Sequence, residues 1–486
     1  MTRYFALLSI LYTTQAFSEQ ISANFATNIG PITHAGSGVL HSISPTTPND
    51  SMLSPIKPSL FRAFPWATHY DRAATNNAAY QMVVSDLYKG TTVWPGDNND
   101  WTEWETTCRD IAQTALAQNQ VIQFDLWNEP DQPFFFGRSK AQFLETWKHG
   151  VNAIRSVDPT ATIVGPSTST YWWFTNLGVK EFLTYAKANN VLPDIISWHA
   201  WNHNFDDDIR DLQQFGQQNG IDVSRLSINE YLPPEEAYTA GAIPYYLNTL
   251  ETYRAESSAK SCWDTCFDNS LDGLVGANDS PRSIWWVYER YGQMSGDIVS
   301  TISDGTLDVV ASQDTGIAYA LVGRSGSASD TSTIVMQNLN SVSSLVHNNK
   351  VHVLAELIDN TETGISSGPV AILNGNYTLT GGNLLLPLQG LGTHDAYAIT
   401  ITAINNYLPG DFNDDGRVDA ADYVMLRKEH CEFEMPAWRE HFNQSPLSAQ
   451  AVVPEPNTKA VALWAILIVI FYIVLKRKED QNNRKL

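Results

Sequence analysis

The sequence has few basic residues for its length. Its 486 residues include 30 Lys and Arg against 52 Asp and Glu, which gives a formal net charge of −22 at pH 7. A chain this acidic does not attract the phosphate backbone of nucleic acid through its overall charge, so we expect no nucleic-acid partner. The same balance disfavours polyanionic substrates.

Cysteine is also scarce, with four residues at positions 108, 262, 266 and 431. Cys262 and Cys266 enclose the segment CWDTC, and in an exported protein they can pair across this short loop. The alternative is a metal site, but the sequence has no second cysteine pair or neighbouring histidine to complete one.

The sequence lacks the glycine-rich phosphate turn that follows the first strand of a dinucleotide-binding open sheet. Residues 30–300 instead alternate strand-like and helical stretches over a length typical of a (β/α)8 TIM barrel, an α/β fold. The predicted strands are 36–43, 59–64, 81–88, 121–127, 162–167, 194–200, 225–231 and 259–263. The predicted helices, which have apolar spacings of three and four, are 140–157, 179–190, 207–220, 243–255 and 281–294.

The composition changes after the predicted barrel. Residues 301–402 are rich in Thr, Val, Ser, Gly and Asn, and they contain short alternating runs such as STIVMQNL and AYAITIT. Alternation with a period of two indicates strands with one buried face. We therefore predict an antiparallel β-sandwich in this region, which can pack on the side of the barrel.

Two glutamates carry the strongest functional signal. Glu129 lies in LWNEP after the apolar run VIQFDLW, and Glu230 lies in INEY after RLSI. In the predicted barrel they lie at the ends of the fourth and seventh strands, so both carboxyl groups reach the same rim. Two carboxyl groups that face each other across a cleft are the groups that cleave glycosidic bonds. The alternative is that each glutamate forms a structural salt bridge.

An Asn-Glu pair at the fourth strand with a glutamate at the seventh resembles the layout of the clan A glycoside hydrolases. The segments WNEPDQPFFF and DPTATIVGP are similar to family 39, the β-xylosidase and α-L-iduronidase type, and the resemblance covers about residues 30–300. It implies that Glu129 is the general acid/base, protonated near neutral pH, and that Glu230 is the nucleophile, which stays ionised. Asn229 stands where many relatives have Thr or Ser.

The resemblance also implies four substrate-binding or supporting residues. Asn128 would hydrogen-bond the sugar 2-hydroxyl, and Trp263 would form a platform for the sugar. His199 would orient Glu230, and Arg62 would keep Glu230 charged. The structural alternatives are that His199 is a core histidine, that Arg62 braces the barrel rim, and that Trp263 packs in the core.

Residues 411–422, DFNDDGRVDAAD, have the ligand spacing of a calcium loop, with Gly416 at the sharp turn. The candidate ligands are Asp411, Asn413, Asp415, Arg417 through its backbone carbonyl, Asp419 and Asp422. The loop and the helix-like YVMLRKEH after it resemble a type I dockerin repeat, over residues 409–445. No second calcium loop follows, so only half of a dockerin is present. The resemblance of this half implies a cohesin-like partner. The alternative is a solvated acidic turn.

Both ends of the chain resemble export signals. Residues 1–18 have one Arg, an apolar run and the small-residue site Ala16-Phe17-Ser18, a pattern typical of a secretory signal peptide or a retained anchor. Residues 452–486 contain Pro-Glu-Pro, the 16-residue apolar run 460–475 and a basic tail. This arrangement resembles the PEP-CTERM sorting signal, whose partner is an exosortase-type peptidase; a plain tail anchor is the alternative.

The sequence thus predicts an exported, retaining glycoside hydrolase at the cell surface or outer envelope, held transiently by its C-terminal hydrophobic helix. We expect an oligosaccharide or polysaccharide substrate, a structural Ca²⁺ and no cofactor for catalysis. A non-catalytic carbohydrate-binding barrel and a transglycosylase with the same residues are the alternatives.

Overall fold

The computed structural model describes residues 19–65, 67–88, 92–172, 178–325, 332–388, 391–404, 418–428, 438–440 and 442. The chain divides into two compact units, Met1–Ala403 and Ile404–Leu486. The predicted signal peptide and the predicted sorting tail lie outside the described residues.

An eight-stranded parallel barrel follows an N-terminal strand, β1 (Glu19–Pro31). Its strands are β2 (Val39–Leu40), β3 (Leu60–Ala63), β4 (Ala79–Val83), β5 (Gln123–Asp125), β6 (Thr162–Thr168), β7 (Ile195–Ala200), β8 (Leu226–Tyr231) and β9 (Ser257–Lys260). They are hydrogen-bonded in chain order, and all neighbours are parallel. The Lys260 amide donates to the Gly38 carbonyl at 3.3 Å, which joins the last strand to the first. All eight strands overlap predicted ones; most are shorter, β4 and β9 begin two residues earlier than predicted, and β6 is one residue longer.

The helices of this unit pack outside the barrel. They are α1 (Asp50–Leu53), α2 (Tyr70–Thr75), α3 (Thr102–Ala117), α4 (Lys140–Val157), α5 (Val179–Ala188), α6 (Phe205–Asn219), α7 (Ile243–Thr252) and α8 (Ser283–Gln293). Helices α4 to α8 were predicted. The short hairpin of β10 (Val275–Gly276) and β11 (Ser280–Pro281) precedes α8.

The eight remaining strands of this unit form one nine-stranded sheet together with β1. They are β12 (Asp297–Ile302), β13 (Leu307–Asp314), β14 (Ile317–Arg324), β15 (Ser332–Gln337), β16 (Lys350–Ile358), β17 (Val370–Thr378), β18 (Leu384–Leu388) and β19 (Ala396–Thr402). The sheet order is β17-β16-β19-β14-β13-β12-β1-β15-β18. The prediction of an antiparallel sandwich confined to 301–402 was wrong in two respects: β1 lies inside this sheet, and it pairs with β15 in parallel.

The barrel and the nine-stranded sheet share a hydrophobic core. Val310, Leu321 and Ile358 of the sheet are at most 2% exposed and belong to the same buried cluster as the barrel side chains. A second buried cluster, which includes Ile21, Val309 and Ile399, is formed mainly by apolar side chains of the sheet itself. Because apolar burial joins the two sheets, they form one structural body.

The described part of the second unit contains helix α9 (Ala420–Lys428). Trp438 donates its indole N–H to the Asp419 carbonyl at 2.7 Å and packs against Tyr423. Within the parts of the chain that the structure describes, no helix is long and apolar enough to cross a membrane.

Candidate active site

The two predicted catalytic glutamates meet at the carboxyl-terminal rim of the barrel. Glu129 lies four residues after the end of β5, and Glu230 lies within β8. His199 on the neighbouring strand β7 is the register partner of Glu230. One carboxylate oxygen of each glutamate and a ring nitrogen of His199 lie within 4.8 Å of one another. The strand-end interpretation therefore places both carboxyl groups at one point.

His199 contacts both carboxylates but lies closer to Glu129. Its Nδ1 lies 3.0 Å from Glu129 Oε1 and 3.7 Å from Glu230 Oε2. The prediction that His199 orients Glu230 was therefore wrong in its partner, because the hydrogen bond goes to Glu129. Burial lowers the pKa of His199 to about 4, against the opposing charge of Glu230. The imidazole is thus neutral at neutral pH, and Nδ1 can either donate to Glu129 or accept its proton.

Arg62 lies in β3, and its guanidinium is fully buried. Its Nη1 donates to Glu230 Oε1 at 2.9 Å, and Nη2 donates to Asn128 Oδ1 at 2.8 Å. The structure brings Arg62 together with Glu230, and its role in keeping Glu230 charged stays a prediction. A single planar guanidinium thereby fixes the positions of Glu230 and of the asparagine beside Glu129.

Asp125 is an essential part of this arrangement that the sequence analysis missed. Arg62 Nε donates to Asp125 Oδ2 at 2.9 Å, and both side chains are 0% exposed. Asp125 also accepts from Ser167 Oγ at 2.8 Å and from Asn229 Nδ2 at 3.1 Å. Arg62 and Asp125 are each the only charged residue in a buried strand. Because an unpaired buried charge is costly, this pattern could have indicated that they pair.

Burial and charge act in opposite directions on Glu230. Its side chain is 16% exposed, and burial raises its pKa above that of an ordinary glutamate; a protonated His199 and the charge of Arg62 lower this pKa, and the charge of Glu129 raises it. The net direction is upward. Burial thus outweighs the support that the Arg62 charge gives to the ionised form.

Several rim residues have left-handed backbone conformations without being glycine. Examples are Glu129 (φ 46°), Ser167 (φ 51°), Leu232 (φ 82°) and Trp263 (φ 42°). The Glu129 amide donates to the Ser167 carbonyl at 2.8 Å, which holds this turn. Such backbone costs about 1–3 kcal/mol per residue and is concentrated at functional sites.

Trp263 lies three residues after the end of β9, inside a loop closed by the disulfide between Cys262 and Cys266. The predicted pairing is confirmed. The Trp263 indole donates to the Leu232 carbonyl at 3.0 Å, and its ring centroid lies 5.2 Å from that of Trp201. Trp201 in turn lies 5.4 Å from the His199 ring, so this pair of indoles extends the rim outward from the carboxylates.

The three donors Glu129, His199 and Glu230 are also close enough together to hold a metal ion. However, the Arg62 guanidinium already lies 2.9 Å from Glu230. A cation bound to this carboxylate would face that positive charge at short range, so the donor set fits proton transfer better than metal coordination.

The predicted calcium ligands Asp411, Asn413, Asp415 and Arg417 lie outside the described residues. Asp419 and Asp422 are described and lie at the start of α9. The Asp419 amide donates to Asp422 Oδ2 at 2.7 Å, and Asp419 Oδ1 accepts from the Ala421 amide at 2.7 Å. Both carboxylates therefore accept hydrogen bonds from backbone amides at the amino-terminal end of α9.

A closed barrel with close glutamates after its fourth strand and in its seventh defines the glycosidase class of barrels. Within that class, residues 87–214 match the family model described as glycosyl hydrolases family 39. The matched segment includes Asn128, Glu129 and His199, while Arg62, Glu230 and Trp263 lie outside it.

The relatives found by sequence are named as glycosidases. The chain is 23% identical over 265 residues to a 3-O-alpha-D-galactosyl-alpha-L-arabinofuranosidase of Bifidobacterium longum subsp. longum, over 48% of this chain and 23% of that protein. It is 29% identical over 120 residues to a beta-xylosidase of Caldicellulosiruptor saccharolyticus, over 24% of this chain and 23% of that protein. The chain thus matches about a quarter of the length of these curated relatives.

The fold is shared over a longer range. The solved structure of N2152 from Neocallimastix frontalis has a TM-score of 0.70 and 24% sequence identity. The match covers 80% of this chain and 100% of that one. This coverage is longer than the barrel, whose last strand ends at Lys260.

Proposed function

We propose that the protein is a retaining glycoside hydrolase that cleaves O-glycosidic bonds of an oligosaccharide or polysaccharide. The observation that carries the proposal is the approach of the Glu129 and Glu230 carboxylate oxygens to within 4.8 Å. Inverting enzymes keep their carboxyl groups about 6.5–9.5 Å apart to admit a water, whereas retaining enzymes keep them about 5–5.5 Å apart. The short separation supports a double displacement.

In the first step, a Glu230 oxygen attacks the anomeric carbon and forms a glycosyl ester. The bond from that carbon to the leaving oxygen breaks, and Glu129 transfers its proton to this oxygen. Neutral His199, 3.0 Å from Glu129, can hold the proton donor in place. Arg62 keeps the attacking carboxylate of Glu230 in position through its 2.9 Å hydrogen bond.

In the second step, Glu129 acts as a base and removes a proton from water. The resulting hydroxyl attacks the anomeric carbon, the ester bond to Glu230 breaks, and the carboxylate is restored. Two inversions at one carbon give net retention. If a sugar hydroxyl replaced water here, the enzyme would be a transglycosylase.

The relatives' names direct the choice of substrate. Because they include an arabinofuranosidase and a beta-xylosidase, we propose that xylose- and arabinose-containing glycans are substrates. A screen begins with aryl xylosides and arabinosides and continues with plant and algal polysaccharides. Analysis of the products then separates hydrolysis from transfer.

Replacing Glu230 by Ala tests the nucleophile. We expect turnover to fall by several orders of magnitude, because the covalent step is lost, and azide to restore activity with an inverted product. NMR of the first product of the wild-type enzyme should show the anomeric configuration of the substrate. Glu181→Ala, on the exposed surface of α5, is the control and should retain activity. An inverted wild-type product would reject the mechanism.

Replacing Glu129 by Ala tests the acid/base. Proton donation matters most when the leaving oxygen is a poor leaving group, so we expect a loss of about 10²–10⁴-fold on natural glycans and a milder loss on activated aryl glycosides. Kinetics on a series of aryl glycosides with different leaving-group pKa values measures this dependence. An equal loss across the series would remove Glu129 from this role.

We also propose that the enzyme is exported and processed at its C-terminus by an exosortase-type peptidase. The support is the sequence of residues 1–18 and 452–486. Deletion of 454–486 should release active enzyme into the medium, and mass spectrometry of the full-length protein should show a processed tail. An intact tail on mature surface protein would favour a plain anchor.

A further inference from the structure

The disulfide loop carries a second aromatic side chain beside Trp263. Phe267 directly follows Cys266 and is 67% exposed, which is unusual for a phenylalanine. The Phe267 ring lies 5.9 Å from the ring of His41 at an interplanar angle of 23°. The His41 ring in turn lies 5.2 Å from that of Phe64 at 21°. The Phe64 and Phe267 rings lie 6.1 Å apart at 38°, so the three rings, from loops after β9, β2 and β3, all contact one another in a triangular aromatic cluster.

The aromatic cluster adjoins the rim that holds Glu129 and Glu230. The His41 amide donates to the Arg62 carbonyl at 3.1 Å, and Phe64 lies two residues after Arg62. His41 Nε2 lies 3.9 Å from an oxygen of Asp86, whose charge also acts on Arg62. The exposed face of Phe267 is therefore continuous with the rim that holds Glu230.

We propose that this aromatic cluster, through the exposed face of Phe267, is a binding site for a further sugar ring of the substrate, next to the ring that is cleaved. This inference rests on the proposed function and extends it from a single glycosidic bond to an oligosaccharide chain. A pyranose or furanose ring has an apolar C–H face that packs on an aromatic plane. The carboxylate of Asp86 lies beside the His41 ring of this cluster. The hydroxyl groups of a bound sugar need hydrogen-bond partners of this kind.

The disulfide has a defined role in this site. It closes residues 262–266 into a ring and fixes both flanking aromatics, Trp263 towards Trp201 and Phe267 towards His41. A loop that is ordered before binding loses less conformational entropy when the sugar arrives. Reduction is therefore expected to weaken the binding of long substrates.

Binding to an inactive variant isolates this site from catalysis. In the Glu230→Gln background, we measure calorimetric affinity for xylotetraose and arabinotetraose with and without Phe267→Ala. Loss of the aromatic face should weaken the better-bound tetrasaccharide about tenfold. Val121→Ala, an 81% exposed apolar residue before β5, is the control and should leave the affinity unchanged. Unchanged affinity in Phe267→Ala would overturn the inference.

Turnover of a glycosyl fluoride separates this inference from the proposed function. Its leaving group has no sugar ring, so wild-type hydrolysis of the fluoride reports on the Glu129 and Glu230 pair alone. Phe267→Ala should lower kcat/KM much more for the tetrasaccharide than for the fluoride. An equal loss for both would show that Phe267 only maintains the shape of the rim.

The disulfide is tested in the same assay. Cys262→Ser combined with Cys266→Ser should weaken tetrasaccharide binding in the same direction as Phe267→Ala, and the reductant dithiothreitol should do so in the unsubstituted loop. Cys108→Ala removes the buried free thiol and is the control. Full affinity in the double variant would contradict the role of the disulfide.

Discussion

Arg62 is the residue on which the site's electrostatics depend. One guanidinium serves two carboxylates, Asp125 and Glu230, and neither Arg62 nor Asp125 is exposed to water. Burial raises the pKa of Asp125 as well, and the Arg62 charge is the largest opposing influence. The nucleophile therefore receives only part of the support that a dedicated cation would give.

The acidic limb of the profile of kcat/KM against pH should report the opposing effects of burial and of the Arg62 charge on the pKa of Glu230. Glu230 reacts as a carboxylate, and burial raises its pKa above that of an ordinary glutamate, so kcat/KM should fall as the pH drops through the raised pKa. Arg62→Gln removes the cation and should move this limb to higher pH, because the ionised form of Glu230 loses its support. The measurement is kcat/KM against pH on one aryl glycoside.

A matched control distinguishes charge from packing. Arg72 is also buried and paired with an acid, Asp50, but it lies on α2 away from the carboxylate pair. Arg72→Gln should lower stability without moving the acidic limb. If the limb stays in place in Arg62→Gln while circular dichroism shows an intact fold, Glu230 does not set the limb.

At the scale of residues, the strings LWNEP and INEY located the two glutamates, the spacing in CWDTC indicated the disulfide, and the family resemblance pointed to Arg62. The partner of His199 was not predictable in this way. His199 and Glu230 are neighbours in register, but Glu129 reaches His199 through a left-handed turn after β5 that no motif encodes. The hydrogen bond depends on that turn, which is a property of the folded rim.

At the scale of elements, hydrophobic periodicity predicted all eight barrel strands but missed α3. The buried face of this helix consists of Trp104, Cys108, Ala112 and Ala115. Their spacings of four, four and three are helical, but two alanines and a cysteine give a weak apolar signal. The role of β1 was missed for another reason: its partners β12 and β15 lie more than 260 residues away. A local pattern does not carry such distant pairing.

The calcium loop is the element whose function is most open to direct measurement. We propose that residues 411–422 bind one Ca²⁺, supported by the ligand spacing and by Asp419 and Asp422 at the start of α9. Calorimetry on chelator-treated protein should show about one site, and Asp411→Ala should weaken it. Glu440→Ala, outside the loop, should not. No heat of binding in the wild type would reject the site, and with it the dockerin resemblance would lose its physical basis.

At the scale of the whole molecule, the barrel depends on the sheet that accompanies it. Arg290 of α8 forms two hydrogen bonds with Glu356 of β16, at 2.9 and 3.1 Å, and both side chains are largely buried. Glu251 of α7 accepts from the Thr33 and His34 amides, which tie the exit of β1 to the barrel. The chain therefore enters and leaves the barrel through the same sheet.

This dependence predicts the outcome of truncation. A fragment of residues 19–296 keeps β1 and the whole barrel but loses both strands that pair with β1 and the sheet side chains that complete the barrel core. It would expose apolar surface and unpaired strand edges, so we expect it to aggregate or to unfold without a cooperative transition. Residues 19–404 should instead unfold in a single transition, because one core joins both sheets. Near-UV circular dichroism and calorimetry of the two fragments check this. Cooperative melting of 19–296 with native near-UV signal would show that the barrel folds independently of the sheet.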